Sequence, residues 1–167
     1  MKQLMFNRIE QLMGIESASA HCDIPCKIYD PSKAQIAALS IIRFLDLIQE
    51  LSSKAQLSVA DQAQLMRLVR EKEIHASIVK EEIRVIWGDY FKQPQFDMFP
   101  DIHHLVHTIM MTASQCKQHI DRDKGKALLT LVNQFADAFW KTKGVETFVA
   151  TCPYPPSEQV TYPNLAQ

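Results

Sequence analysis

Residues 21–53 read HCDIPCKIYDPSKAQIAALSIIRFLDLIQELSS, and the change of pattern halfway along that run decides the fold. Up to Asp30 there is no apolar period. From Pro31 onward Ile41, Phe44, Leu45 and Ile48 fall on one stripe of a 3.6-residue helix. Asp30 suits the N-cap, and Pro31 suits the first helical position, where its missing N–H has no helical partner to lose. The helix fades at Ser52-Ser53. Working outward, a second helix opens at Ser58, with Asp61 three residues on as a capping-box acid. It carries Leu65, Leu68, Val79, Ile83 and Ile86 to Trp87, with Gly88 as the break. A loop with Pro94 and Pro100 follows. A third helix starts near Asp101 with Ile102, Leu105, Val106 and Ile109 at helical spacing. A fourth runs from about Asp123 to Lys143 with Leu128, Leu131, Val132, Phe135 and Phe139 on its stripe. Only four glycines occur in 167 residues. Short connections demand antiparallel neighbours, so the expected architecture is all-α, an up-and-down four-helix bundle over residues 31–143, with a hook at 21–30 and an irregular tail at 144–167.

Composition narrows the partners. With 47% hydrophobic and 22% charged residues the chain can bury one core, and no apolar run approaches the length of a membrane span. The net charge of −1 gives no basic field for nucleic acid. The four cysteines read as a metal pair, Cys22 and Cys26, plus two bystanders, Cys116 in an apolar helical pattern and Cys152 in the tail.

The hook itself carries chemistry. If the chain is cut before His21, the freed α-amine, the amide nitrogen between His21 and Cys22, and the Cys22 thiolate form two fused five-membered chelate rings, and Cys26 closes a fourth corner. Such an N2S2 set suits nickel(II) or copper(II), whereas zinc takes thiolates in a tetrahedron. The His21 imidazole would lie above the plane as an axial ligand. Pro25 lacks an N–H and tolerates a cis bond, so it can turn Cys26 back toward Cys22. His103 and His107 share a helix face at i, i+4, but no acidic or cysteine partner accompanies them and they are read as surface histidines.

The run HCDIPCKIYDP resembles the N-terminal metal hook of the nickel-containing superoxide dismutases, HCD-x-PC-x-x-YDP. Trp87-Gly88-Asp89-Tyr90-Phe91-Lys92 resembles that family's W-x-DYFK block, and Phe139-Trp140-Lys141-Thr142-Lys143 its helical C-terminus. The resemblance implies a homohexameric enzyme that disproportionates superoxide with one nickel ion per subunit, bound by His21, Cys22 and Cys26. It also implies that Tyr29 lies near the substrate access path, and that Asp23 and Tyr90 order the hook and its waters. Residues 1–20 then correspond to a leader removed by a maturation peptidase. Ala18-Ser19-Ala20 also mimics a secretory cleavage site, but Arg8, Glu10 and Glu16 interrupt the apolar core that a signal peptide needs, so a cytoplasmic location is expected.

Three departures from the family pattern stand out. Ala37 and His75 occupy the positions where some members place a glutamate and an arginine that orient the axial imidazole, which makes His75 a candidate replacement. Lys27 stands where glycine is usual after the second cysteine. The tail beyond Lys143 extends past the usual family end. Two other classes of function share the hook, a nickel or copper carrier without redox cycling and a helical module with redox-sensing thiols; neither explains a histidine directly before the cysteine after a twenty-residue leader.

Overall fold

The computed structural model describes residues 27–165. Its helices are α1 (Ser32–Ser52), α2 (Val59–Val85), a short α3 (Gln93–Met98), α4 (Ile102–Gln118) and α5 (Arg122–Thr142), and a two-stranded hairpin of β1 (Thr147–Thr151) and β2 (Gln159–Pro163) follows. The long helices close a ring in which α1 packs on α2 and α5, and α4 packs on α2 and α5. Inside it lie Ile41, Val79, Ile83, Ile109, Leu128 and Phe135, all fully buried. A smaller cluster of Ile48, Leu51 and Leu68 closes the α1–α2 corner at the far end.

The expected helix starts hold to within one residue. Ser58 caps α2, its hydroxyl accepting from the Asp61 N–H at 3.1 Å while the Asp61 carboxylate accepts the Ser58 N–H at 3.0 Å. Hydrogen bonds from Lys54 and Ser58 hold the Asp61 carboxyl down to about 2. Before α1 the Asp30 carboxylate accepts the Ser32 N–H at 2.7 Å, placing the helix start one residue later than expected. Gly125 explains the tight approach of α5 to α1: a Cβ there would lie 3.0 Å from Ile42 Cγ1 and 3.2 Å from Leu45 Cδ1.

Three expectations are corrected. Gly88 does not break α2. Instead Ile86–Tyr90 forms a single π turn, closed by the Phe91 N–H on the Ile86 carbonyl at 3.3 Å. One extra residue in the turn rotates the chain so that Tyr90 and Phe91 both reach the core, Tyr90 against Phe139 and Phe91 against Phe135. The loop expected around Pro94 contains α3, because proline in its first turn surrenders no helical donor. The tail is not irregular. Residues 147–151 pair antiparallel with 159–163, and the hairpin lies on α5 and is tied to α1 through Thr161. Buried Gln35 on α1 donates to the Asn133 side chain at 2.9 Å and to the Thr161 carbonyl at 2.8 Å. The Asn133 amide in turn donates to the Gln159 carbonyl at 2.9 Å. Arg122 bridges Asp46 at 2.6 Å and Glu158 at 2.9 Å. Cys152 and Val160 supply the apolar part of the seam, both 2% exposed.

At the end of the bundle away from Tyr29, Lys72 of α2 is fully buried and its ammonium serves as the C-terminal cap of α4. It donates to the carbonyls of Cys116, Lys117 (2.7 Å) and His119 (3.2 Å), groups that a helix end leaves unpaired and that carry its negative partial charge. Burial pushes the Lys72 ammonium below the usual lysine range, against the nearby Glu73 and Cys116. Replacing Lys72 with methionine keeps the apolar stem but strands these carbonyls, and a stranded buried acceptor costs about 1–3 kcal/mol. Thermal unfolding of Lys72→Met is expected at a Tm roughly 2–10 °C below that of the parent chain; an unchanged Tm would show that the cap contributes nothing net.

Candidate metal centre

The chain enters the described structure at Lys27, whose φ of +54° is left-handed. That conformation costs a side-chain-bearing residue about 1–2 kcal/mol relative to glycine, which gives a conformational reason for the family's glycine at this place. Ile28 is exposed, and Tyr29 then turns inward, its ring 5.8 Å from that of Tyr90. The π turn makes this contact available, since it is the element that swings Tyr90 toward the α1 lead-in.

Tyr90 is held on every side. Its ring meets Phe91 edge-on at 5.5 Å and Phe139 at 5.0 Å, and the Lys143 ammonium lies 4.2 Å from the ring centre, within range of a cation–π attraction. Its hydroxyl is 2.8 Å from Thr142 Oγ1, and Thr142 spends its one hydroxyl proton on the Phe139 carbonyl at 2.6 Å. Tyr90 is therefore the donor to Thr142, and on the outward side the Tyr90 oxygen offers lone pairs.

Of the residues expected at the site, His21, Cys22, Asp23, Pro25 and Cys26 lie outside the described residues. Tyr29 and Tyr90 are brought together. His75 does not join them: its Nδ1–H donates to the Glu71 carbonyl at 2.8 Å and its ring meets Phe44 at 5.0 Å. Phe44 sits seven residues beyond Ala37 on α1, a rise of about 10 Å, so His75 and Ala37 occupy different levels of the α1–α2 pair. The Trp87 indole N–H donates to His103 Nδ1 at 3.1 Å, which ties up that ring nitrogen. Asp89, Thr142 and Lys143 were not picked out individually from the sequence, although all three lie in the blocks that carry the family resemblance.

The donor set limits where a thiolate-bound metal can sit. Among the described residues no three His, Cys, Asp or Glu side chains converge as a metal-binding group. Cys116 and Cys152 are free and buried, and burial pushes the Cys116 thiol up to about 11, the opposite of what a thiolate ligand needs. Cys116 also lies near the C-terminus of α4, about 20 Å along that helix from its Ile102 end.

Comparison with known proteins settles the family. The family model described as nickel-containing superoxide dismutase matches residues 16–143, from just before the hook to the last turn of α5. The chain belongs to the nickel-containing superoxide dismutases. It is 36% identical over 126 residues to the nickel superoxide dismutase of Streptomyces seoulensis, covering 75% of this chain and 89% of that protein. It is 34% identical over 128 residues to the one from Streptomyces coelicolor, covering 76% and 91%. A native nickel superoxide dismutase structure solved at 1.30 Å superimposes with a TM-score of 0.63 at 32% identity, spanning 74% of this chain and 99% of that one. An apo form matches at 0.62 and 29% identity, spanning 70% and 98%. As a member of this family the chain is an oxidoreductase that disproportionates superoxide, with nickel as its cofactor. The C-terminal hairpin lies beyond the family match.

Tyr90→Phe removes one hydrogen bond while keeping the ring contacts. Its expected cost is about 1 kcal/mol, read as a Tm lowered by roughly 2–4 °C, with Thr142 still bonded to Phe139. A Tm equal to that of the parent chain would contradict the assigned donor role.

Proposed function

We propose that residues 21–26 hold the nickel at the Tyr29–Tyr90 corner, one ion per chain, through the His21 α-amine and imidazole, the Cys22 amide nitrogen and thiolate, and the Cys26 thiolate. The observation that carries this reading is the Tyr29–Tyr90 contact, which fixes the chain to the bundle three residues after Cys26. The residue types fit the metal, because thiolates and a deprotonated amide are soft, strongly donating ligands. When bound, nickel in such a donor set supplies a one-electron couple lying between the oxidation and the reduction of superoxide.

The chain's own residues do the rest. Tyr29 and Tyr90 form an aromatic wall beside the hook that restricts approach to something as small as superoxide. With its proton committed to Thr142, Tyr90 acts toward the site as an acceptor, ordering water or a hook N–H. Asp23 orders the hook from its own side, and Pro25 shapes its turn. Residues 1–20 act as a leader: while Ala20 is attached, the His21 nitrogen is an amide and not an amine ligand, so a peptidase that cuts before His21 switches the site on. The mature chain is proposed to assemble as a cytoplasmic homohexamer. No helix among the described residues is long and apolar enough to cross a membrane.

The test compares the full chain with one beginning at His21, each with bound nickel quantified and superoxide decay followed after rapid mixing. Activity and stoichiometric nickel are expected only in the chain that starts at His21. Equal nickel and equal activity in the full chain would refute the amine ligand and the switching role of the leader.

A further inference from the structure

The C-terminal hairpin, which lies beyond the family match, has one closed edge and one open edge. In an antiparallel ladder successive residues turn their N–H and C=O alternately toward the partner strand and away from it. The Cys152 N–H donates to the Glu158 carbonyl at 3.0 Å, and the Asn164 N–H to the Glu146 carbonyl at 2.7 Å. With Phe148 opposite Tyr162 and Ala150 opposite Val160, the even-numbered residues of both strands therefore bond within the hairpin. Thr147, Val149 and Thr151 of β1, and Gln159 and Thr161 of β2, turn their backbone groups outward.

The outward edge of β2 is taken up by the bundle. Gln35 donates to the Thr161 carbonyl, Asn133 donates to the Gln159 carbonyl, and the Asn133 side-chain oxygen accepts the Thr161 N–H at 3.2 Å. Two helix side chains thus stand where a third strand would. The outward edge of β1 has no such cover. Among the described residues no hydrogen bond reaches the N–H or C=O of Thr147, Val149 or Thr151, and the outside bonds of the two threonines run through their hydroxyls. Open edges are commonly guarded by charge, proline or a bulge. The strand Thr-Phe-Val-Ala-Thr carries none of these, and Phe148 is 50% and Val149 63% exposed.

A strand that fills this edge must be free of opposing charge and must offer Phe148 something small. The β1 strand of a second copy does both. Set antiparallel about a twofold axis at Val149, it uses all three outward residues: Val149 faces its own copy and Thr147 faces Thr151, each pair exchanging N–H···O=C bonds. Between them Phe148 falls opposite Ala150 on either side of the axis, a large ring against a methyl. Just outside, Glu146 falls opposite Cys152, so no like charges are opposed. A twofold contact of this kind uses the same patch on both chains and closes on itself.

We propose that β1 is a self-association edge, pairing with β1 of a second copy about a twofold axis through Val149 to make a four-stranded sheet across two chains. The inference stands independently of the hook, and its test needs no metal.

The experiment follows amide hydrogen exchange residue by residue on the full chain. In the parent the amides of Thr147, Val149 and Thr151 are expected to exchange roughly tenfold or more slowly than in Val149→Lys, where two ammonium groups meet at the axis. The amides of Phe148 and Ala150, bonded to β2, are expected to stay equally protected in both, which shows the hairpin intact. Val149→Glu is expected to open the edge in the same way. Mixing the two variants is expected to restore parent-like protection at Thr147 and Thr151, since lysine then faces glutamate. Free exchange of the three outward amides in the parent would overturn the proposal and leave the edge to solvent or to a strand of another protein. Protection that survives both substitutions, or a mixture that exchanges as the sum of its parts, would overturn it as well, because neither depends on Val149 meeting its own copy.

Discussion

A six-residue loop cannot hold a metal geometry by itself, and the proposed placement of nickel on residues 21–26 depends on one contact, the ring of Tyr29 against the ring of Tyr90. That contact exists because α2 ends in a π turn and not in a simple break. An α-helical ending would present Tyr90 or Phe91 to the core, but not both. The inserted residue lets Phe91 fill the core against Phe135 while Tyr90 packs on Phe139 and reaches the α1 lead-in. Thr142 and Lys143 then lock Tyr90 from α5. Three helices thus converge on one side chain.

The opposite end of the bundle solves a different problem by related means. There Lys72, a buried ammonium whose hydrogen bonds all go to backbone, satisfies three carbonyls at the end of α4. At the Lys72 end the unpaired carbonyls of a helix terminus find a side chain from a neighbouring helix, whereas at the Tyr90 end two side chains from different helices bond each other. The strained feature at the Tyr29 end, the left-handed Lys27, lies on the exposed lead-in to α1 and not in the core.

How much of this was legible in the sequence follows from what kind of signal each feature leaves. The long helices were legible because burial of one face imposes a period, and Ser58 with Asp61 was legible because a capping box needs two residues at fixed spacing. The π turn was not, since a one-residue insertion leaves a glycine that looks like a stop. The hairpin was hidden by proline and polar residues around it, although Val160 and Tyr162 alternate with Gln159 and Thr161. Its clamps, Gln35 and Asn133, are polar helix residues whose role depends on strands far along the chain. Lys72 reads as a surface lysine until α4 is seen to end over it. At the site, Tyr29 and Tyr90 were named through family resemblance and the structure brings them together, whereas His75, named as a candidate to hold the imidazole, is bound into its own helix. Asp89 stands in the W-x-DYFK block, but its unpartnered Oδ2 is a property of packing that the sequence does not show.

The central claim is that nickel sits in a thiolate-rich set at the chain terminus created by cutting before His21. X-ray absorption at the nickel edge on the chain starting at His21 tests it most directly. Two sulfur donors, lost together with bound nickel when Cys22 is changed to serine, are the predicted result. A nickel shell of nitrogen and oxygen alone, unchanged by that substitution, would contradict the account.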